Sequence, residues 1–279
     1  MCLIAWSWQP ASDCPLLLAA NRDEWLQRPA APMHWWPAEG GVQMLAGRDL
    51  QGGGAWLGLS RDGRLAALTN VREADAAAGH RPSRGHLVLR FLQRMHPLQP
   101  RAWSDGGVAS WAQELAGGMQ TWAGFNLLLA DLRRGEMHWI SNRAPAPRAV
   151  DAGVHGLSNA ALDTPWPKVR RLKLGLAACL RSGCDADGAF DALLGHLADP
   201  APASPAQLRA QPESLPLTPQ WKRGLSAPFI RLPGYGTRCS TLLRAGADGS
   251  MRVLEVQHQE GGARRAFAWN WRAPEAPAQ

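Results

Sequence analysis

Cys2 is the residue whose type and position offer the most chemistry. Loss of Met1 leaves a thiol and a free α-amine on this one residue, and cysteine is small enough to permit that loss. The α-amine titrates near about pH 8 and the thiol near about 8.5, so part of the amine is neutral and accepts the thiol proton. These properties indicate a nucleophile with its own base. The apolar Leu3, Ile4 and Trp6 fit equally well with a small buried residue at the start of a strand.

Four polar residues end the second apolar stretch of the chain: Asn21, Arg22, Asp23 and Glu24. The first and second apolar stretches predict a β-hairpin, which returns this block toward Cys2. An arginine at such a place lowers the pKa of a thiol, and a carboxylate can hold the α-amine in position. A solvated turn with one salt bridge is the alternative explanation.

Other motifs that suggest chemistry have simpler explanations. The glycines at 52–54 precede a strand pattern and no Gly-Lys-Ser/Thr, so they predict the approach to a hairpin rather than a phosphate-binding loop. Cys179, Cys184 and His196 are too loosely spaced for zinc and fit a helix end with ordinary thiols. The chain has no His-Glu-x-x-His, Gly-x-Ser-x-Gly or Gly-x-Gly-x-x-Gly motif. The sequence therefore predicts no metal site.

Strand patterns and helix patterns alternate in blocks along the chain. Apolar runs and turn signals predict strands at 2–8, 16–21, 55–60, 65–70, 125–130, 137–141, 154–158, 237–244, 251–256 and 266–271. Helical spacing predicts helices at 83–95, 108–115, 165–180 and 187–197. The segment that contains Pro29, Pro32 and Pro37 is expected to be irregular. These blocks favour an α+β layered domain over a doubly wound parallel sheet.

The composition is that of a folded protein with a sizeable core. The chain has 279 residues, of which 46% are hydrophobic and 19% are charged. We expect one domain over 1–279, with an exposed Pro-rich connection near 200–220. No apolar run reaches the roughly 18 residues of a membrane span and no secretory leader opens the chain, so we expect no integral membrane segment and a cytoplasmic location. The five cysteines lack the paired spacing of a disulfide framework.

The charge distribution narrows the class of partner. The formal charge of +7 comes from basic residues that occur singly or in pairs, whereas nucleic-acid binding concentrates them on one stripe. We therefore expect no nucleic-acid partner and a small anionic or acyl-bearing ligand. The oligomeric state stays open.

Short blocks spread over nearly the whole chain carry a resemblance to a known family. In chain order they are Met1-Cys2-Leu3-Ile4, Ala20-Asn21-Arg22-Asp23-Glu24-Trp25, Gly47-Arg48-Asp49, Gly53-Gly54-Ala55-Trp56-Leu57-Gly58, Leu68-Thr69-Asn70-Val71-Arg72, Ser83-Arg84-Gly85, Gly124-Phe125-Asn126-Leu127, Gly156-Leu157-Ser158-Asn159, Pro165-Trp166-Pro167-Lys168 and Tyr235-Gly236-Thr237-Arg238. Together these blocks resemble the NRDE family, also called the transport and Golgi organization protein 2 family.

The NRDE family is similar to the N-terminal nucleophile (Ntn) hydrolases, especially choloylglycine hydrolases and penicillin V acylases. The resemblance implies a four-layer αββα sandwich of mainly antiparallel sheets, with Cys2 as the nucleophile once it is the first residue. In those enzymes an Arg and an Asp stand beside the nucleophile in an Arg-Asn-x-Asp arrangement. Here Arg22 with Asp23 matches by residue type, and Asn21 with Glu24 matches by spacing. We favour Arg22 and Asp23 as catalytic residues, with Asn21 and Glu24 as binding residues.

Three further site residues follow from the same resemblance. Asn70 closes a predicted strand and resembles the oxyanion-hole asparagine, whose amide N–H is donated to the developing oxyanion. Asn159 resembles the second asparagine of that site, and Arg238 resembles its distant arginine. The resemblance thus implies a cysteine amidohydrolase or acyltransferase that acts on a small acyl amide and requires no cofactor.

A non-enzymatic binding protein on the same scaffold is the alternative. Members of the family are associated with haem trafficking and with acyl-CoA or lipid handling, which implies haem as a ligand. In this chain Trp35, Trp36 and Trp56 are candidate flat walls for such a ligand, although core packing explains each of them as well. Arginines would bind propionates or phosphates, and a thiol or histidine would be the axial ligand.

Overall fold

The structure, a computed structural model, describes residues 2–39, 42–73, 81–103, 106–183, 185–211, 217–259 and 261–272. Met1, Cys184 and part of the predicted Pro-rich connection lie outside these ranges. The described residues form fourteen β-strands: β1 (Cys2–Trp8), β2 (Leu16–Trp25), β3 (Ala30–Glu39), β4 (Val42–Asp49), β5 (Leu57–Ser60), β6 (Arg64–Asn70), β7 (Phe125–Asp131), β8 (Glu136–Ser141), β9 (Arg148–Ala149), β10 (Gly153–Leu157), β11 (Arg231–Leu232), β12 (Tyr235–Ala245), β13 (Ser250–Gln257) and β14 (Ala263–Asn270). They also form six α-helices: α1 (Gly85–Leu92), α2 (Val108–Ala116), α3 (Pro167–Ser182), α4 (Ala186–Leu197), α5 (Pro205–Arg209) and α6 (Pro219–Gly224).

Two sheets of seven strands each form the centre of the molecule. The first sheet has the strand order β10-β1-β2-β12-β13-β14, with β11 paired to β12. The second sheet runs from β3 to β9 in chain order. All pairs between these strands are antiparallel, and the predicted hairpins β1/β2 and β5/β6 are confirmed.

Alternation of side chains along the strands builds four layers. One face of β1 and β2 carries Ile4, Trp6 and Leu18, which pack between the two sheets. The other face carries Leu3 and Leu17, which pack under α3 and α4. The outer face of the second sheet packs against α1 and α2. The layers are therefore helix, sheet, sheet and helix, and the predicted α+β fold with four layers and mainly antiparallel sheets is confirmed.

The segment expected to be irregular is a pair of strands, so that prediction was wrong. β3 is the edge strand of the second sheet and pairs with β4. Its register shifts twice, in the intervals that contain Pro32 and Pro37. Proline has no N–H to donate, and an edge strand with irregular pairing tolerates it. The prolines therefore interrupt the pairing locally without ending the strand.

The helices lie where the spacing predicts them, with some ends shifted. α2 and α4 match the predicted 108–115 and 187–197 to within one residue. α1 is shorter than the predicted 83–95, and the backbone at Arg94 is left-handed, with φ of 55°. The predicted Pro-rich connection contains α5 and the start of α6, whose first turns are capped by the side chains of Ser204 and Thr218. None of the described helices is long and apolar enough to cross a membrane.

Gly54 allows the segment before β5 to lie directly on the start of α1. A Cβ at this position would lie 2.5 Å from the carbonyl carbon of Gly85, and backbone cannot rotate away. We expect Gly54→Ala to lower the free energy of unfolding by about 1–3 kcal/mol, the usual cost of overpacking. Urea denaturation followed by tryptophan fluorescence measures the change.

Gly195→Ala is the matched control for this substitution. Gly195 is exposed in α4, and an added Cβ meets nothing within 4 Å. Alanine there should raise the free energy of unfolding by up to about 1 kcal/mol, because it favours the helix more than glycine does. Equal effects of the two substitutions would contradict the close contact between Gly54 and Gly85.

Candidate functional site

Cys2 begins β1 and faces the layer between the sheets. It shares a face of the strand with Ile4 and lies directly opposite Arg22 of β2. With 8% of its surface exposed, it lies on the wall of a cavity of about 660 Å³. Burial raises the pKa of the Cys2 thiol, and the positive charge of Arg22 opposes that rise. The structure thus brings the predicted nucleophile and the predicted arginine together.

Asp49 of the second sheet holds two arginines at this cavity, Arg22 of β2 and Arg28 of the turn that follows β2. Its Oδ2 accepts a hydrogen bond of 2.6 Å from Arg28 Nε and lies 3.4 Å from Arg22 Nη2. Burial raises the pKa of Asp49, but the hydrogen bonds from Arg28 and from the Gly52 N–H outweigh it, so the pKa is lowered. Asp49 therefore stays ionised and fixes Arg22 beside the thiol.

Asp23 is buried on the opposite face of β2, toward α3. Thr237 Oγ1 donates to Asp23 Oδ1 at 2.7 Å, and Lys168 Nζ lies 3.9 Å from Oδ2. The hydroxyl of Tyr235 donates to the Asp23 carbonyl oxygen at 2.9 Å. Burial raises the pKa of Asp23, and the charge of Lys168 opposes it; burial lowers the pKa of Lys168, and Asp23 opposes that shift. The two charges stabilise each other at one edge of the cavity, which Asp23 also lines.

The other two residues of the polar block, Asn21 and Glu24, lie in different surroundings. The Asn21 side chain donates to the carbonyl oxygens of Leu197 and Pro228 and accepts from Ser240. It therefore ties β2 to the end of α4 and does not line the cavity. Glu24 does line the cavity, on the same wall as Arg22 and Asp23.

The two predicted asparagines are connected, although only one of them reaches the cavity. Asn70 ends β6 on the cavity wall, and its carbonyl oxygen accepts a hydrogen bond of 2.9 Å from Asn159 Nδ2. Ser158 Oγ donates to the Cys2 carbonyl oxygen at 2.8 Å and lies 3.0 Å from Asn159 Oδ1. Asn159 itself is buried behind this contact. It therefore links the end of β6 to the start of β1 and does not line the cavity.

Arg238 lies in a β-bulge, where β12 skips one residue in its pairing with β2 between Thr237 and Cys239. Bulges next to sites turn a side chain in a new direction. Arg238 Nη1 donates to the carbonyl oxygens of Trp25 and Arg28, at 3.1 Å and 2.6 Å, and the residue lines the cavity. Burial lowers the pKa of its guanidinium, which stays charged at neutral pH because an arginine begins so high.

Several residues of the site are not singled out by the sequence. Cys239, expected to be an ordinary thiol, flanks Arg22 from the side away from Cys2 and lines the cavity. Glu255 accepts a hydrogen bond of 2.6 Å from the Met33 N–H and also lines the cavity. Arg84 and Lys168 are two more such residues. Both belong to blocks that resemble the family, but the resemblance assigns no role to either of them. Membership in such a block is the signal that points to them.

The cavity residues do not fit a haem with an imidazole ligand. Among the described residues that line the cavity there is no histidine. The thiols that remain are Cys2 and Cys239, and burial raises the pKa of each, which disfavours the thiolate. Of the three candidate tryptophans, only Trp56 lines the cavity, while Trp35 packs against Trp269.

Comparison with known proteins places the chain in a family. The profile described as Transport and Golgi organisation 2 matches residues 1–260. The Transport and Golgi organization protein 2 homolog of Bos taurus is 33% identical over 273 residues, which cover 91% of this chain and 92% of that protein. The homolog of Homo sapiens is 33% identical over 270 residues with the same coverage of 91% and 92%.

Two solved structures of conjugated bile acid hydrolase from Clostridium perfringens are also similar. The C2A mutant has a TM-score of 0.44 at 8% identity and covers 100% of both chains. The R18L variant has a TM-score of 0.47 at 8% identity and covers 99% of this chain and 100% of its own. On the evidence of the profile and the curated relatives, the chain belongs to the Transport and Golgi organisation 2 family.

Proposed function

We propose that this protein is a cysteine amidohydrolase or acyltransferase in which Cys2, exposed as the N-terminal residue by loss of Met1, attacks a small acyl amide. The observation that carries the proposal is the position of Cys2 on the cavity wall, directly opposite Arg22, with Asp23 next along β2. A thiol, a fixed positive charge and a carboxylate are the groups that an N-terminal nucleophile needs beside it.

The reaction begins when the Cys2 thiol proton passes to the α-amine of the same residue. The sulfur attacks the amide carbonyl carbon, a C–S bond forms, and the carbonyl electron pair moves onto oxygen. The C–N bond then breaks, and the α-amine returns the proton to the leaving amine. Water attacks the thioester and gives a proton to the α-amine, and the C–S bond breaks to release the acid. Attack by another acceptor in place of water gives acyl transfer.

Asn70 is the proposed donor to the oxyanion. It lines the cavity together with Cys2, and its own carbonyl oxygen is held by Asn159. A donor fixed before the reaction stabilises developing charge without reorganising at that moment. Arg22, held by Asp49, favours the thiolate form of Cys2 by its charge.

The substrate is proposed to carry an anionic group, because positive charge predominates on the cavity wall. Six arginines line the cavity against four acidic residues: Arg22, Arg28, Arg48, Arg81, Arg84 and Arg238 against Asp23, Glu24, Asp49 and Glu255. Arg84 is half-buried and donates to the Gly124 carbonyl oxygen at 2.9 Å. Among the described residues no carboxylate forms an ion pair with Arg84 or with Arg238. These two guanidinium groups are therefore available to an anion.

Replacement of Cys2 tests the nucleophile. We expect wild-type protein with Cys2 at its N-terminus to hydrolyse members of a panel of acyl amides, and Cys2→Ala to reduce turnover to the uncatalysed rate, because the variant has no sulfur to form the thioester. Intact mass spectrometry establishes which residue is N-terminal, and release of the amine is followed by fluorescence. Cys14→Ser, a change of thiol outside the cavity, should retain the wild-type rate.

Two results would contradict the amidohydrolase. One is equal turnover by wild type and Cys2→Ala. The other is tight binding of a fluorescent acyl-CoA or of haem by both proteins without turnover of any amide, which is the result expected of the non-enzymatic alternative. Retention of Met1 in active protein would remove the α-amine of Cys2 from the mechanism.

Replacement of Arg84 tests the anionic part of the substrate. A charge-assisted hydrogen bond contributes about 1.5–3 kcal/mol, so Arg84→Met should raise KM for a carboxylate- or phosphate-bearing acyl amide by about 10- to 100-fold. KM for the neutral analogue should stay within about twofold. Arg252→Met is the control, because Arg252 is a partly exposed residue that pairs with Asp187 outside the cavity. An equal rise for charged and neutral substrates would contradict recognition of an anion.

A further inference from the structure

Lys168 is a buried lysine at a position that disfavours a positive charge. It is the second residue of α3, and the first turn of a helix favours negative charge. Only 3% of its surface is exposed, and lysine is among the residues least often fully buried. The position therefore disfavours the ammonium group both by desolvation and by the helix dipole.

The surroundings of Lys168 offer it one compensating charge. Among the described residues Nζ has no hydrogen-bond partner, and the carboxylate within 4 Å is that of Asp23, 3.9 Å away. Arg72 adds a second positive charge nearby, with its guanidinium 5.8 Å from the centre of the Trp166 ring beside Lys168. The pairing with Asp23 is thus the interaction that keeps this lysine charged.

Stability alone does not account for such a pair. Replacing a buried ion pair by apolar side chains of similar volume is commonly neutral or stabilising, because desolvation of two ions offsets their attraction. Asp23 lies diagonally across the β1/β2 ladder from Cys2, and both residues line the cavity. A change in the charge of Asp23 therefore acts on the proposed nucleophile.

We propose that Lys168 is a positioning residue: its ammonium keeps the Asp23 carboxylate ionised, so that the carboxylate can accept a hydrogen bond from the α-amine of Cys2. The inference rests on the proposed function, in which that amine receives the thiol proton. Lys168 takes no part in bond making and acts only through Asp23, which Thr237 holds from the other side.

Several other titratable or charged groups lie close to Asp23 and Lys168 and also influence the pKa values of this pair. They are Cys2 on β1, Glu24 on β2, Tyr235 on β12 and Arg72 after β6. Burial raises the pKa of Asp23, so its carboxylate is lost as the pH falls through that raised value. Without the lysine the pKa rises further, and the carboxylate is lost at a higher pH.

The ionisation of Asp23 can be measured directly by NMR of protein labelled with ¹³C at the aspartate carboxyl carbon, with Asp23→Asn identifying the signal. We expect Lys168→Met to raise the titration midpoint of Asp23 by about one to three pH units, the usual effect of an opposite charge at this distance. Lys168→Arg should restore most of the shift. Lys173→Met is the matched control. Lys173 also lies on α3 but pairs with Asp163, so its replacement should leave the titration midpoint of Asp23 unchanged.

The effect on Cys2 needs no substrate to be measured. Alkylation of Cys2 by iodoacetamide at pH 7, quantified on the N-terminal peptide, should differ in rate by about tenfold between Lys168→Met and wild type, because the charge of Asp23 raises the pKa of the thiol and also acts on the α-amine beside it; tenfold corresponds to a shift of one pKa unit. Lys173→Met should react at the wild-type rate. If Lys168→Met shows no cooperative unfolding transition, Lys168→Gln, which keeps a polar end group beside the carboxylate, takes its place with the same expectations.

An Asp23 midpoint in the folded variant equal to that of wild type would overturn the inference. So would a raised midpoint with unchanged alkylation of Cys2, because Asp23 would then not act on the nucleophile. Amidase turnover is a separate readout: its absence in wild type contradicts the proposed function, whereas turnover with an unshifted Asp23 contradicts only the role of Lys168.

Discussion

The antiparallel pairing of β1 with β2 is the constraint on which the candidate site depends. Both strands are internal to the first sheet, between β10 and β12, and their register places Cys2 opposite Arg22. Because side chains alternate, Arg22 reaches the cavity while Asp23 points toward α3. A slip of one residue would exchange the two faces of β2 and bury the arginine under the helices. The buried polar groups of β2 oppose that slip, because it would take Asn21 from the carbonyl oxygens of Leu197 and Pro228 and Asp23 from Thr237.

Charges at this end of the molecule also hold the two sheets together. Asp49 of the second sheet binds Arg22 of the first, and Glu255 of the first sheet accepts a hydrogen bond from the Met33 N–H of the second. Burying such groups costs free energy unless each has a partner, and here each has its partner on the facing sheet. The separation of the sheets near the cavity is therefore set by polar contacts, whereas apolar packing sets it elsewhere.

Local signals in the sequence predict the strands and helices but not the long-range contacts. The hairpin that returns residues 21–24 to Cys2 follows from two apolar runs and a turn, so the approach of Arg22 to Cys2 is predictable. β3 is not, because Pro32 and Pro37 argue against a strand and only the pairing with β4 shows that they lie at register shifts. The contact between Asp23 and Lys168 joins a strand and a helix that are separated by about half of the chain, and no spacing rule connects them. The resemblance to the family assigns Asn159 to the same site as Asn70, and the structure brings the two residues into contact, but the position of Asn159 behind the cavity wall depends on tertiary contacts.

In that position Asn159 links two strands, whereas the resemblance implies that it belongs to the oxyanion site. A continuous series of hydrogen bonds runs from the carbonyl oxygen of Cys2 through the side chains of Ser158 and Asn159 to the carbonyl oxygen of Asn70. These hydrogen bonds connect β1 of one sheet to β6 of the other, so the proposed nucleophile and the proposed oxyanion donor are fixed relative to each other through their backbones. Catalysis by positioned groups depends on such fixed geometry, and small displacements cost much of the rate. The relative position of the two proposed catalytic groups therefore depends on Ser158 and Asn159, which are buried and do not line the cavity.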